Sequence, residues 1–585
     1  MSRALARTNT SLWWIACFFV CAFYVVTVPR LWQCEGVDEI EYLGLSHSLA
    51  RGYGYTLYGE PYGYYPPLFP AVLSMIMRWN VAAWRWMYAA NALLGLVGLI
   101  VGATWLRRFS RVGVWAGWFS LFAYYAWSFS TRYLLSEPLF FALSVFVIIL
   151  VWRVLERNRC SIPEGFLIGA GALLCAMTRL GAVALLGGLG FAALIRWLIS
   201  RVRTGLVVGL ILLVTGGGFM IAWEVRAQVV NPNAVESYGR WAAKFLGLSD
   251  EKAGMIAKSV GEGTVRELSW PRRAIESGIR YSQYVASVVR PPRNFAPLAV
   301  FLWALFLTGI ASHLRWYPWS PAAWYTVATI AMISLTSWLS SYVRYYFPLT
   351  PFLFFFLLSG AQAWRRVLIE SPEWQLRRVV GLWGMVGLIW SLLCWPALVA
   401  GCQEAVYGLA MWFLCLAAYG VMFVLGLDFL FRRSLIHMLR RPVTAMAGIV
   451  IIYGLHSVAV ASERSRLIQS NQALKAKNLD GVVEVGRWLR QSSPASSVCV
   501  ASFPRLVSFL ADRTCLDPLF NAGGKLELDG IGYVVTTGDL MGVPAFRRVD
   551  ERALCESIAG EKTWIVIFKS EGAEVFRREM PDVQR

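Results

Sequence analysis

The stretch Ser11–Tyr42, SLWWIACFFVCAFYVVTVPRLWQCEGVDEIEY, decides how the rest of the chain is interpreted. Its first part, Ser11–Pro29, is a predominantly apolar run, and about 20 such residues cross the hydrocarbon of a bilayer. Nine residues after that run, Asp38 and Glu39 follow one another. A carboxylate at the edge of a membrane is costly unless it is solvated or used. This acidic segment is therefore the first candidate for a functional centre.

The composition of the whole chain indicates a polytopic membrane protein. Of its 585 residues, 57% are hydrophobic and 15% are charged, whereas a soluble chain has about 45–50% and about 25%. The formal net charge of +20 is carried largely by short Arg clusters between apolar runs, which argues against nucleic acid as a partner. The eleven cysteines show no metal-type C-x-x-C spacing.

Thirteen apolar runs predict thirteen membrane crossings. They are Ser11–Pro29, Ala83–Leu106, Val112–Ser128, Tyr133–Trp152, Gly165–Met177, Gly181–Ile199, Thr204–Trp223, Phe295–Ser312, Trp319–Trp338, Tyr346–Ala363, Val379–Ala400, Ala405–Phe431 and Val443–Val460. With a cytoplasmic N-terminus, the strong basic clusters between closely spaced runs all fall on the cytoplasmic side, as the positive-inside rule requires. The run Pro66–Trp79 is too short to cross and is expected to be interfacial or re-entrant. The C-terminus is then extracytoplasmic.

This topology divides the chain into a membrane module, residues 1–461, and a soluble extracytoplasmic domain, residues 462–585. The module has a first external loop, residues 30–65, and a long external loop, residues 224–294. In the soluble part, helices are expected at Asp480–Gln491 and Pro504–Ala511, and strands at Ser497–Ser502, Ile531–Thr537, Thr563–Phe568 and Ala573–Arg578. Alternating strands and helices favour a small α/β domain. No Gly-rich phosphate loop follows these strands, so this domain is expected to gate, cap or recognise rather than catalyse.

Three cysteines of the soluble part, Cys499, Cys515 and Cys555, would lie in an oxidising compartment. Structural disulfides form in such compartments, so one pair among the three is expected to be bridged. The spacing does not decide which pair.

Four motifs lie on the external side of the predicted topology, in this order. They are Asp38-Glu39 with Tyr42 and the later Tyr64-Tyr65-Pro66-Pro67-Leu68, then Arg132-Tyr133-Leu134-Leu135-Ser136-Glu137-Pro138, then Thr178-Arg179-Leu180, and then Ser341-Tyr342-Val343-Arg344-Tyr345-Tyr346-Phe347-Pro348-Leu349. The set resembles the GT-C fold membrane glycosyltransferases, in the group of protein O-mannosyltransferases and lipid A aminoarabinose transferases. The resemblance covers about residues 1–360, and beyond them only the general layout matches.

The resemblance implies a GT-C fold and an inverting glycosyltransferase of a plasma or inner membrane. The donor would be a polyprenyl-phosphate sugar, and the acceptor would be an extracytoplasmic protein, lipid A or glycolipid, or polysaccharide. Asp38 would be the general base, and Glu137 would assist by orienting the acceptor or a partner cation. A general base contributes about 10²–10⁴-fold to a rate. The residues expected to contact substrate are Glu39, Tyr42, Tyr65, Arg179, Arg344 and Tyr345. Arg179 and Arg344 suit the leaving lipid phosphate, because a guanidinium donates two hydrogen bonds at once.

The chain departs from the group at one position. Members commonly carry Lys or His directly before the Pro-Pro of the first loop, where this chain has Tyr65. A Tyr hydroxyl donates one hydrogen bond but brings no positive charge, so the phosphate-holding role is not transferred to Tyr65. No cofactor is assigned. A divalent cation among Asp38, Glu39 and Glu137 is not favoured, because the mannosyltransferase-like branch generally uses none.

Other interpretations of the same residues stay open. Asp38 can be the N-cap of a helix over Glu39–Ala50, and Glu137 can be a helix-entry carboxylate beside Pro138. External arginines also anchor membrane proteins to lipid headgroups. For the whole protein, the alternative is a transporter or flippase for a lipid-linked sugar precursor. Transporters usually place ionisable residues in the middle of several spans, and here those residues collect at one surface. A membrane-anchored sensor would leave the first-loop motif unexplained.

Overall fold

A computed structural model describes sixteen parts of the chain. They are residues 3–28, 37–57, 60–79, 84–179, 181–230, 280–281, 283–285, 296–335, 343–370, 450, 484–494, 498–501, 514–516, 533–537, 564–570 and 573–578. The predicted spans Val379–Ala400 and Ala405–Phe431 lie outside them, as do nearly all of Val443–Val460 and most of loop 224–294. The predicted helix Pro504–Ala511 and Cys555 also lie outside.

The described chain forms two compact units. The first combines Met1–Pro29, Tyr88–Trp223 and Arg266–Glu463, and the second combines Arg30–Met87, Glu224–Val265 and Arg464–Arg585. The helices, in chain order, are α1 Arg3–Thr27, α2 Val37–Arg51, α3 Leu68–Trp79, α4 Trp84–Leu106, α5 Arg111–Leu121, α6 Tyr124–Thr131, α7 Glu137–Arg157, α8 Ile162–Ala176, α9 Ala182–Ser200, α10 Thr204–Leu212, α11 Gly218–Val230, α12 Ala296–Trp316, α13 Pro321–Leu335 and α14 Thr350–Glu370. A π-helical turn, Leu213–Gly217, joins α10 to α11, and a 3₁₀ helix, Val343–Leu349, precedes α14.

The protein has a polytopic helical membrane fold. Within the described residues, five helical segments are long and apolar enough to cross a membrane: Arg85–Leu106, Glu137–Arg157, Ala182–Ser200, Thr204–Val230 and Val343–Trp364. Shorter apolar stretches are Trp13–Thr27, Leu68–Trp79, Val112–Leu121 and Ile162–Ala176. The twelve residues of α3 extend about 18 Å at 1.5 Å per residue, which is short of the hydrocarbon thickness. That length agrees with a segment that does not cross.

One predicted span is wrong as a single helix. The apolar run Val112–Ser128 is divided into α5 and α6, because Ala123 leaves helical geometry with φ −66° and ψ 113°. The amides of Phe122 and Ala123 bond back to Trp118 and Ser120 and close the end of α5. Neither Gly nor Pro marks the break, so the sequence pattern continues across it.

At the crossing of α12 and α14 in the first unit, glycine allows the two helices to pack closely. A Cβ on Gly309 of α12 would lie 1.8 Å from the carbonyl oxygen of Phe356, and one on Gly360 of α14 would lie 1.7 Å from that of Leu305. Small residues let membrane helices approach closely where lipid gives no hydrophobic driving force. This crossing holds α14 against α12.

The first loop of the second unit is a compact structure between α2 and α3. The short strands β1 Thr56–Leu57 and β2 Glu60–Pro61 pair antiparallel in it. Helix α3 packs on α2 and buries Phe69, Leu73 and Met77. Of the candidate residues, Asp38, Glu39 and Tyr42 lie on α2, and Tyr65 lies between β2 and α3.

The tail forms a five-stranded mixed sheet. Its strands are β3 Val498–Ala501, β4 Thr514–Leu516, β5 Tyr533–Thr537, β6 Trp564–Ser570 and β7 Ala573–Arg578, in the order β4-β3-β5-β7-β6. The four predicted strands are present, residues 484–492 are helical as expected, and β4 was not predicted. Cys499 and Cys515 are register partners on the parallel strands β3 and β4. The predicted disulfide among the three cysteines stays a prediction.

Candidate functional site

Three candidate residues from distant parts of the sequence converge in the first unit. Arg179 Nη1 lies 2.7 Å from Oε1 of Glu137, whose side chain is 3% exposed, and the two form an ion pair. Arg344 Nε lies 3.8 Å from the same oxygen, an ion-pair distance that is too long for a hydrogen bond. The two arginine side chains remain partly accessible, at 15% and 23%. The structure therefore brings together three of the residues that the motifs selected.

Each of the three sits where a helix begins or ends. Glu137 is the first residue of α7 and is followed by Pro138, a position where a carboxylate interacts favourably with the helix dipole. Arg179 lies in the tight turn between α8 and α9, where its carbonyl accepts from the amide of Ala182. Arg344 belongs to the 3₁₀ helix that leads into α14. Three breaks between helices thus supply the cluster, which we call the Glu137 cluster (Glu137, Arg179, Arg344 and Tyr345).

The Glu137 cluster carries a formal excess of one positive charge. Two guanidinium groups face one carboxylate, and both also lie over the ring of Tyr345, each 5.4 Å from its centroid. The negative ring face attracts a cation but does not cancel its charge. A partly accessible pair of guanidiniums with excess charge is suited to a phosphate, which they can hold through several charge-assisted hydrogen bonds.

Sequence reasoning missed a residue that supports the turn before Glu137. Asn91 of α4 is 1% exposed, and its Nδ2 donates to the carbonyl oxygen of Tyr133 at 2.7 Å. That bond ties the segment between α6 and α7 to a neighbouring helix. The signal was a single Asn inside an apolar run, which alone does not separate a structural amide from a functional one.

The first-loop candidates meet in the second unit. The helix expected over Glu39–Ala50 is α2, which begins at Val37, so Asp38 lies inside its first turn rather than before it. Tyr65 Oη donates to Asp38 Oδ1 at 3.1 Å. The ring of Tyr42 packs on Tyr65 with centroids 4.6 Å apart and on Phe69 at 5.0 Å. The fold therefore brings Asp38, Tyr42 and Tyr65 together.

Further polar residues of this loop were not selected from sequence. Tyr62 Oη donates to Glu41 Oε2 at 3.3 Å. Arg226, near the end of α11, donates from Nη1 to the carbonyl oxygen of Tyr62 at 2.7 Å, and its guanidinium lies 5.6 Å from the ring centroid of Tyr55. The sequence could have indicated Arg226 because it is a charged residue just after an apolar run. Its contacts with Tyr62 and Tyr55 could not be predicted without the folded loop.

Burial dominates the acid–base behaviour of the loop tyrosines. It raises the pKa of Tyr65 well above its ordinary value, and the charges of Glu41 and Asp38 raise it further. The pKa of Tyr55 is also raised by burial, while Arg226 opposes that shift. Both hydroxyls therefore stay protonated and act as hydrogen-bond donors.

The structure gives no direct support for a substrate contact of Glu39. Glu39 is fully buried, which places it away from any solvent-borne ligand, and its substrate contact stays a prediction. Among the residues that the structure describes, no three His, Cys, Asp or Glu side chains form a group that could hold a metal ion.

Comparison with known proteins shows similarity at the level of structure. No protein-family model matches the chain, and no curated protein matches it. The crystal structure of ArnT from Cupriavidus metallidurans in the apo state matches 98% of this chain and 98% of its own, with 15% identity and a TM-score of 0.53. The structure of the same protein bound to undecaprenyl phosphate matches 97% of each chain, with 14% identity and a TM-score of 0.51.

A weaker likeness, with a TM-score of 0.45 and 10% identity, is found to the archaeal oligosaccharyltransferase AglB from Archaeoglobus fulgidus. It covers 91% of this chain and 69% of that one. The fold assignment comes from the two ArnT structures, which extend over nearly the whole chain. The expected GT-C resemblance is confirmed for the fold: this chain has the fold of ArnT.

Proposed function

We propose that this chain is an integral-membrane glycosyltransferase that moves a sugar from a polyprenyl-phosphate donor to an extracytoplasmic acceptor. The observation that carries the proposal is the convergence of Arg179 and Arg344 on the buried carboxylate of Glu137. Such a cluster suits the phosphate of a lipid donor, and ArnT, whose fold the chain shares, has been crystallised with undecaprenyl phosphate. Fold alone does not determine activity, so the residues have to supply the chemistry.

The proposed reaction is an inverting displacement at the anomeric carbon. The Asp38 carboxylate takes the proton of the acceptor group as the acceptor atom bonds to the anomeric carbon. The bond from that carbon to the phosphate oxygen breaks, and its electron pair leaves with the lipid phosphate. Asp38 suits the base because it is only half-buried at the start of α2, so an acceptor can reach it, and its hydrogen bond from Tyr65 fixes one of its oxygens. Base catalysis of this kind contributes about 10²–10⁴-fold.

The Glu137 cluster would stabilise the charge that develops on the leaving phosphate. Cations that are already in place where negative charge develops in the transition state contribute strongly to catalysis, and removing a single donor of this kind lowers kcat by about 10²–10³-fold. Glu137 holds the two guanidiniums in place and limits their mutual repulsion, and Tyr345 supports both through its ring face. Tyr42 is buried against Tyr65 and Phe69, and its contact with substrate stays a prediction.

The test uses the purified full-length chain in liposomes with undecaprenyl-phosphate donors of mannose, glucose and aminoarabinose, with and without extracted envelope as acceptor. Release of undecaprenyl phosphate, with the sugar found on the acceptor, is expected for one donor. Arg344→Gln should lose at least about tenfold of that rate, whereas Arg108→Gln, an exposed arginine after α4, should lose little. Movement of intact donor across the bilayer without sugar release would instead support a flippase.

A further inference from the structure

A hydrogen bond in the first loop links Asp38 to a residue 27 positions away. Tyr65 Oη donates to Asp38 Oδ1 over 3.1 Å. Neither proton transfer nor binding of the donor phosphate requires this bond, because the hydroxyl is neutral and the phosphate is assigned to the Glu137 cluster. The function of the Tyr65 hydroxyl is therefore open.

The position of Tyr65 is fixed by several contacts. Tyr55 Oη donates to the carbonyl oxygen of Tyr65 at 2.8 Å, which holds the backbone. The ring packs between Tyr42, with centroids at 4.6 Å, and Tyr64, at 4.8 Å. The contacts on the ring and backbone place the hydroxyl within hydrogen-bond distance of Asp38 Oδ1.

The charges around the pair favour a neutral donor. Glu41 and Asp38 act electrostatically on Tyr65, the hydroxyls of Tyr62 and Tyr42 are also close, and Arg226 acts on the adjoining Tyr55. Since burial and the two carboxylates hold the pKa of Tyr65 above its ordinary range, the hydroxyl keeps its proton. A lysine here would form an ion pair with Asp38, whereas the Tyr65 hydroxyl donates a hydrogen bond without adding a charge.

We propose that Tyr65 is a positioning residue for Asp38, whose hydroxyl fixes the orientation of the carboxylate that removes the acceptor proton. Tyr65 itself takes no part in proton transfer. A misplaced reacting group can cost a rate about 10²-fold. The proposal rests on the function proposed above for Asp38, and its test therefore includes a measurement that does not need turnover.

Two single-atom variants of neighbouring tyrosines give a matched pair. Tyr65→Phe removes the hydroxyl on Asp38 and keeps the ring that packs on Tyr42. Tyr62→Phe removes a hydroxyl of the same loop that donates to Glu41 instead. Both are compared with the wild-type chain after folding is checked by gel filtration and thermal denaturation.

The first readout is kinetic. In Tyr65→Phe we expect kcat to fall about 10- to 100-fold with KM little changed, because the base is misoriented while the binding groups remain. In Tyr62→Phe, kcat should stay within about threefold of the wild-type value.

The second readout is carbodiimide labelling of Asp38 at pH 6, quantified by peptide mass spectrometry. Labelling should rise about three- to tenfold in Tyr65→Phe, because the reagent no longer competes with the Tyr65 hydrogen bond for the carboxylate oxygen.

The outcomes separate the two proposals. Increased labelling confined to Tyr65→Phe supports the positioning contact, and if the wild type then shows no sugar transfer, only the glycosyltransferase assignment fails. Equal labelling of Asp38 in the wild type and Tyr65→Phe overturns the positioning role, whatever the rates are. Unchanged kcat in Tyr65→Phe, in a chain whose wild type turns over, overturns it as well.

Discussion

Glu137 is the residue on which the cationic cluster depends. Its buried carboxylate lies within ion-pair distance of Arg179 and Arg344, so Glu137→Gln would remove a counter-charge that the two guanidiniums share. Breaking a buried ion pair costs about 3–5 kcal/mol. Since both arginines are partly solvated, we expect a loss of about 2–3 kcal/mol.

Thermal denaturation in lipid nanodiscs measures this loss, and Glu164→Gln is the control. Glu164, in the first turn of α8, pairs at the surface with Arg157 at the end of α7, where such pairs contribute about 0–1 kcal/mol. A Gln at this position can still accept the capping hydrogen bonds from Ser161. The melting temperature should fall clearly for Glu137→Gln and hardly at all for Glu164→Gln. Equal shifts in the two variants would show that the Glu137 cluster is no more important for stability than a surface pair.

At the residue scale, sequence motifs identified the charged residues of the Glu137 cluster, but they did not identify the polar residues that hold neighbouring segments in place. Glu137, Arg179 and Arg344 each follow a recognisable local pattern, and the fold brings them together. Asn91, Glu41 and Tyr62 have no such pattern, because their roles depend on which backbone carbonyl or carboxylate the fold places beside them. Contacts of that kind are decided by tertiary structure and leave no periodic signal.

The stability of the first-loop hairpin (β1 and β2) is expected to depend on Arg226. Arg226 holds it through the carbonyl of Tyr62 and the ring of Tyr55, and Gly63 lies close against Ala227. Removing a charge-assisted hydrogen bond and a cation–π contact should lower the local opening free energy by about 1–2 kcal/mol.

Hydrogen exchange of residues 53–65 measures that opening. It should accelerate about 10-fold in Arg226→Gln, since 1.4 kcal/mol is a factor of ten. Arg51→Gln, which changes an exposed arginine at the end of α2, is the control and should leave exchange nearly unchanged. Equal exchange in the wild type and Arg226→Gln would mean that the hairpin is held by its other contacts.

The crossing of α12 and α14 gives a second prediction for an element. Gly360→Ala places a methyl group against the backbone of Leu305, and overpacking of this kind costs about 1–3 kcal/mol. Gly209→Ala on α10 meets nothing within 4 Å and should be neutral or slightly stabilising, because Ala favours helix over Gly by up to about 1 kcal/mol. Melting temperatures that rank the two variants in the opposite order would contradict the close crossing.

At the scale of secondary structure, the sequence predicted which segments are helices or strands better than it predicted where each one begins and ends. Helices α8 and α9 and the strand β7 begin and end within a few residues of the predicted ranges. The break between α5 and α6 was missed because it comes from backbone geometry at Ala123 and not from Gly or Pro. Strand β4 was missed because its three residues are too few to show an alternating pattern.

At the scale of the whole molecule, the proposed sidedness remains to be measured. The basic clusters predict a cytoplasmic N-terminus and an extracytoplasmic tail. An alkaline phosphatase fused after Arg585 should be active and a fluorescent protein fused there should be dark, because each folds on one side only. The reverse pattern would invert the topology and place Asp38 and Glu137 on the cytoplasmic side.

The central claim is that the chain transfers a sugar with Asp38 as base. The most direct measurement is single-turnover transfer from the active polyprenyl-phosphate donor by the wild type, Asp38→Asn and Asp38→Glu, with donor binding measured in parallel. The account predicts that Asp38→Asn binds the donor normally and loses transfer by about 10²–10⁴-fold, with partial recovery in Asp38→Glu. Transfer at the wild-type rate in a folded Asp38→Asn chain would contradict it.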